Sequence, residues 1–126
     1  MIVAKPGHLR NALQSLLRTI PQIEILAEAN DPSILLKMED ILPELILVDG
    51  SLIDERNWSV VTKVKADWPG TKVIVLTEND QQGQAAREAG ADHFLLKGFP
   101  ATELVQLVET SLIQDSREEN DLSTKE

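Results

Sequence analysis

Asp49, Thr77 and Lys97 are the residues of this chain best equipped for chemistry, and each closes an apolar run. Glu44-Leu45-Ile46-Leu47-Val48-Asp49-Gly50 stops on a carboxylate, Lys72-Val73-Ile74-Val75-Leu76-Thr77 on a hydroxyl, and His93-Phe94-Leu95-Leu96-Lys97 on an ammonium. Apolar runs bounded by turn residues read as strands buried on both faces, as in parallel sheets covered by helices. In open sheets of that kind, ligands and chemistry collect beyond the carboxyl ends of the strands. There a nucleophilic carboxylate could accept a phosphoryl group, while a hydroxyl hydrogen-bonds one of its oxygens and a cation neutralises another. Taken singly, the residues have plainer readings. An Asp after a strand forms turns or caps, a Thr does the same, and a terminal Lys is solvated. Their coincidence on successive strands points to one site.

The elements that must position them alternate. Residues 1–4 form a first short strand, ended by Lys5-Pro6-Gly7. Leu9, Leu13, Leu16, Leu17 and Ile20 recur at helical spacing, and Pro21 closes that helix. A second strand is predicted over 23–27. Asp31 then caps a helix with Pro32 in its first turn, a buried face of Ile34, Leu35, Met38, Ile41 and Leu42, and Pro43 as its end. A third helix from Trp58 to Trp68 buries some of Trp58, Val61, Val64 and Trp68 before Pro69-Gly70 breaks it.

Glu78-Asn79-Asp80 leads into a short helix with only Ala85, Ala86 and Ala89 inside, Gly83 within it and Gly90 as its C-cap. That helix should be the loosest element. After Gly98-Phe99-Pro100, a last helix is capped by Thr102 or begins just before it, with Leu104, Leu107, Val108 and Leu112 inside. Five strands alternating with five helices imply right-handed crossovers and a parallel sheet covered on both faces.

Composition narrows the function. The 126 residues suit one domain with a real core, and 42% hydrophobic with 26% charged residues is ordinary for a globular protein. There is no cysteine, which removes disulfides and thiolate metal sites. A net charge of −9, with no basic cluster, argues against this chain itself gripping nucleic acid. Neither a signal peptide nor a long apolar span is recognisable, so a cytoplasmic location and no membrane contact are expected. Residues 115–121 form an acidic, polar stretch expected to be a solvated, mobile tail.

The chain resembles the receiver domain of two-component response regulators. The resemblance rests on Pro43-Glu44-Leu45-Ile46-Leu47-Val48-Asp49, on Val73-Ile74-Val75-Leu76-Thr77, and most specifically on Ala89-Gly90-Ala91-Asp92-His93-Phe94-Leu95-Leu96-Lys97. It covers residues 1–114, leaving 115–126 as an acidic linker or tail. It implies a flavodoxin-like, doubly wound, five-stranded parallel sheet with five helices. By match, Asp49 is the phosphoacceptor position, Thr77 the switch hydroxyl, Lys97 the phosphoryl-binding lysine and Phe94 the switch aromatic. The partner so implied is a histidine kinase or another signalling protein. Homodimerisation would use the fourth helix, fifth strand and last helix, here 81–89, 93–97 and about 102–113. Asp121-Leu122-Ser123-Thr124-Lys125-Glu126 resembles the opening of a NarL/LuxR-class helix-turn-helix effector, through which a longer protein would bind DNA; an ordinary frayed C-terminus is the alternative.

Several positions depart from the family pattern. Its acidic pair, which holds Mg²⁺, is replaced by Ala4 and Lys5. A methyl and an ammonium cannot supply the oxygen ligands of a hard cation, so Mg²⁺ is disfavoured as a cofactor. The small residue that normally follows the Thr is Glu78, whose bulk and charge oppose an incoming phosphate, and the usual proline after the phosphoacceptor is Ile53. Asn57 stands where glycine is common, a mild change because Asn tolerates left-handed backbone. Lys5 either stands in for the metal and pairs with Asp49, lowering its pKa, or points into solvent.

Three functional readings follow. The first is a non-enzymatic receiver that is atypical, with weak or no Mg²⁺-dependent phosphorylation, and acts by protein contacts. The second is a conventional phospho-accepting receiver with Mg²⁺ held by Asp49, a backbone carbonyl near Ser51 and waters, aided by Asp54. The third, a small enzyme or nucleotide-binding protein, lacks support: there is no glycine-rich phosphate loop, and His8 and His93 fall far apart in the pattern.

Overall fold

The computed structural model describes residues 1–124 except 22, 26, 38–42, 55 and 56, with side chains through residue 112. Five strands form one sheet: β1 (Ile2–Val3), β2 (Glu28–Ala29), β3 (Leu45–Asp49), β4 (Lys72–Thr77) and β5 (His93–Leu96). Their order is β2-β1-β3-β4-β5 and every pairing is parallel. This is the doubly wound, flavodoxin-like order, whose crevice opens where the winding reverses, between β1 and β3. Four α-helices are described: α1 (His8–Arg18), α2 (Trp58–Asp67), α3 (Asp80–Ala89) and α4 (Ala101–Thr124). Two 3₁₀ helices cover Pro32–Lys37 and Gly50–Leu52.

Alternation along the central strands sends side chains to opposite faces. Ile46, Val48, Val73 and Val75 pack with Leu35, Val61, Val64 and Ala86 on the α2 and α3 side. Leu45, Leu47, Ile74 and Leu76 pack with Leu13, Leu17, Leu104 and Val108 on the α1 and α4 side. Both faces are therefore apolar, which is why β3 and β4 read as unbroken hydrophobic runs. Lys65 locks α2 to the sheet, its ammonium lying 2.8 Å from the Thr71 carbonyl and 2.9 Å from Asp92.

Two expectations need correction. The second strand forms at Glu28–Ala29 and not at 23–27, because the register sets Ile2 opposite Glu28 and leaves Ile23, Glu24 and Ile25 before the start of the ladder. Ile23 and Ile25 still pack beside the sheet without strand pairing. The helix expected after Asp31 is a 3₁₀ helix over its described part, with Asp31 accepting from the Ser33 N–H at 2.8 Å. Its tighter winding puts residues three apart on one side. Pro32 and Leu35 are accordingly buried, whereas Ile34 is 42% exposed. Met38, Ile41 and Leu42 lie outside the described residues. The last helix, α4, begins just before Thr102, one of the two starts expected, and its backbone runs to Thr124. Among the described residues no helix is long and apolar enough to cross a membrane.

Candidate functional site at the carboxyl ends of β3, β4 and β5

Asp49 is the last residue of β3, and the chain turns sharply after it into the 3₁₀ helix Gly50–Leu52. Its carboxylate caps that helix: Oδ1 accepts from the Ser51 N–H at 2.9 Å and from the Ser51 hydroxyl at 2.8 Å. The plain reading of an Asp after a strand is thus correct, and it does not exclude a site. The same Oδ1 lies 2.7 Å from Lys97 Nζ. Ser51 and Lys97 therefore all converge on one oxygen, and Oδ2 receives none of these three donors.

Lys97 reaches this place because its backbone N–H extends the β4–β5 ladder to the Thr77 carbonyl at 2.8 Å, one residue beyond the end of β5. Its ammonium also contacts Glu78 Oε1 at 2.8 Å. One cation is thus divided between two carboxylates. The Asp49 side chain is 13% exposed, that of Lys97 25% and that of Glu78 56%. Burial alone would push the Asp49 carboxyl up, but the bonds from Lys97 and from the Ser51 N–H and hydroxyl outweigh it and hold the pKa below its ordinary value. For Lys97, burial would lower the pKa, and the two carboxylates more than reverse that.

The other sequence-derived residues fall differently. Thr77 is fully buried, and its hydroxyl faces β5, 3.4 Å from the Leu95 carbonyl; it does not bond to Asp49. Phe94 is half-buried on β5 with its ring against Gly83 of α3, where an added Cβ would lie 2.3 Å from Cε2. Ala4 is 1% exposed at the end of β1. Lys5 is exposed and makes no ion pair with Asp49, so the cation on Asp49 is Lys97 and the idea that Lys5 takes that place is overturned. The physical reason is local: Lys5 follows the last ladder bond of β1, from the Ala4 N–H to the Ala29 carbonyl, and is exposed. His8 opens α1, exposed, while His93 is half-buried at the start of β5. Ile53 is buried in the core on the α2 side, and Asn57 precedes α2.

Sequence reasoning missed Gln82. Its Oε1 accepts from the Glu78 N–H at 2.8 Å and its Nε2 donates to the Gly50 carbonyl at 3.0 Å. A signal existed: Asn79-Asp80-Gln81-Gln82 has the spacing of a capping box, and the Asn79 side chain does accept from the Gln82 N–H at 2.8 Å. In a regular box the Gln would reach back to the Asn79 N–H, but here it reaches one residue further.

Beside Asp49 and Lys97 lies a mostly apolar cavity of about 390 Å³ bounded by Leu9, Leu13 and Leu16 of α1 and by Phe99. Among the described residues, no group of three or more His, Asp or Glu side chains is placed to hold a metal ion. The site offers a carboxylate engaged through Oδ1, a shared cation and an adjoining apolar cleft.

Comparison with known proteins identifies the family and the fold. A curated relative, the response regulator protein VraR of Staphylococcus aureus (strain Mu3), is 31% identical over 102 residues, covering 79% of this chain and 49% of its own. The chain thus spans about half the length of the curated relatives it matches. A CheY-like receiver domain protein from Methanospirillum hungatei superposes with a TM-score of 0.78 at 22% identity, covering 93% of this chain and 94% of its own. A LuxR-family two-component response regulator from Aurantimonas gives 0.78 at 21% identity, over 90% of this chain and 84% of its own. The family described as "Response regulator receiver domain" matches residues 1–109, and the chain belongs to that family.

Proposed function

We propose that this domain is an atypical receiver of a two-component response regulator, with Asp49 at the phosphoacceptor position but weak or no Mg²⁺-dependent phosphorylation, acting through protein contacts. The carrying observation is the Lys97 ammonium shared between Asp49 at 2.7 Å and Glu78 at 2.8 Å. An incoming phosphoryl dianion would meet two carboxylates and one cation that already serves both. The metal that would offset this charge finds a poor ligand set. Mg²⁺ wants near-octahedral oxygen coordination, whereas the end of β1 supplies the buried Ala4 methyl and the exposed Lys5. The residues present do not fit Mg²⁺. In a longer protein this domain would take its input from a histidine kinase or another signalling protein, and any DNA contact would belong to an effector domain.

A second reading, conventional phosphorylation with altered metal coordination, draws on two observations. Asp49 Oδ2 carries none of the three bonds that engage Oδ1, and the half-exposed Glu78 can swing away from Lys97. Incubation with radiolabelled acetyl phosphate, with and without Mg²⁺, comparing the parent with Asp49→Ala, separates the two. We expect no Mg²⁺-dependent label above the Asp49→Ala background. Stoichiometric label that requires both Mg²⁺ and Asp49 would establish the second reading.

A further inference from the structure

The single carboxamide of Gln82 bridges the segments that follow β3 and β4. By accepting from the Glu78 N–H and donating to the Gly50 carbonyl, it ties the residue after β4 to the residue after β3. The approach is close: a Cβ on Gly50 would lie 3.1 Å from Gln82 Oε1 and 2.6 Å from the Leu76 carbonyl oxygen, so only glycine leaves room for this crossing. Gln82 is itself fixed, through its N–H on Asn79 Oδ1, in the first turn of α3. The next residue, Gly83, carries the Phe94 ring. Beside these contacts the Glu78 carboxylate occupies Lys97. Two donors at the carboxyl ends of β4 and β5, the Glu78 N–H and the Lys97 ammonium, are therefore both taken by oxygen atoms of the chain itself.

We propose that Gln82 and Glu78 form an intramolecular latch that occupies the oxyanion position beside Asp49 and ties α3 to the site. A phosphate-like group and the latch compete for the same two donors. Opening it frees the first turn of α3, whose buried face consists only of Gly83, Ala86 and Ala89. With so little apolar area to hold it, that turn depends on its polar contacts. The inference rests on the reading of Asp49 as a site held without a bound group.

The test uses backbone hydrogen exchange, followed by NMR, on the full chain without ligand. Gln82→Ala should speed exchange at the Glu78 N–H and in the first turn of α3 by about tenfold or more. Gln84→Ala is the control: it makes the same change of helix propensity at an exposed position of α3 and should stay within about twofold of the parent. Unchanged exchange at Glu78 in Gln82→Ala, or an equal effect from Gln84→Ala, would overturn the latch. Inorganic phosphate then probes the vacated donors. The Glu78→Ala/Gln82→Ala protein should bind it about tenfold more tightly than the parent, reported by the residue 78 and Lys97 amides, a gain of about 1.4 kcal/mol. No difference between the two proteins, including no response in either, counts against occupancy. Neither measurement depends on labelling of Asp49, so failure of the latch and failure of the atypical-receiver reading are separable.

Discussion

Lys97 decides the charge state of the site, and its removal exposes what it balances. In Lys97→Met, Asp49 keeps its Ser51 bonds but loses its cation and remains beside Glu78. The Asp49 carboxyl should then titrate higher than in the parent, where it lies below its ordinary value. Side-chain NMR titration of both proteins reads this directly. Losing a charged, partly buried hydrogen-bond partner should cost about 1.5–3 kcal/mol near neutral pH. The sign of the pH dependence follows from the two shifts. The depressed Asp49 contributes stability above its unfolded pKa and loses it as pH falls through the lower folded value. The raised Lys97 contributes below its ordinary 10.5 and loses that contribution as pH climbs through the higher folded value. The stability gap between parent and variant, from urea unfolding, should be flat around neutrality and shrink both below about pH 4 and above about pH 10.5. A gap that stays constant into acid would show that the ion pair does not contribute.

At the scale of elements, Gly83 of α3 lies close against the Phe94 ring of β5. Alanine at a helical glycine ordinarily gains about 1 kcal/mol. Here the new Cβ would overlap the ring, so Gly83→Ala in the parent should lose stability or force Phe94 into another rotamer. In a Phe94→Leu background the same substitution should become favourable. Chemical denaturation of the four proteins measures the coupling, for which we expect about 1 kcal/mol or more. Additive effects would mean that Phe94 leaves at no cost and does not sense α3. Gly50→Ala is a harsher case, because the obstacle is the Leu76 backbone carbonyl in the central sheet, which cannot rotate away. A loss of about 1–3 kcal/mol in urea unfolding is expected.

At the scale of the whole molecule, two apolar layers hold a sheet whose site edge is acidic, in a chain of net charge −9. Magnesium separates the two readings of the site here too. A cation that binds the native state with affinity well below the concentration used raises stability by about 2.7 kcal/mol at a hundredfold excess over Kd. With Ala4 and Lys5 at the end of β1, about 10 mM Mg²⁺ should leave the melting temperature within about 1 °C of that measured in matched ionic strength. A larger, saturable rise that vanishes in Asp49→Ala would reveal a metal site assembled from other ligands.

Much of this was legible in the residues alone. Apolar runs, proline and glycine breaks and helical spacing are local signals, and they identified β3, β4, β5, α1, α2 and α3 together with a parallel sheet covered on both faces; its doubly wound order was what the receiver resemblance implied. The same signals placed Asp49 and Lys97 at neighbouring strand ends. Registers and partners were not legible, because they depend on where strands far apart in sequence come to rest beside one another. The β1–β2 register moved the second strand to Glu28–Ala29, and the tight 3₁₀ winding turned Ile34 outward. Which cation meets Asp49 was likewise a tertiary outcome: Lys97 is carried in by the β4–β5 ladder, while Lys5 lies beyond the short β1. Sequence determined that a carboxylate would stand at the crevice of this sheet. Only the fold decided that a lysine, a glutamate and a glutamine from three directions would fill the space around it, because such contacts form across loops that no local pattern aligns.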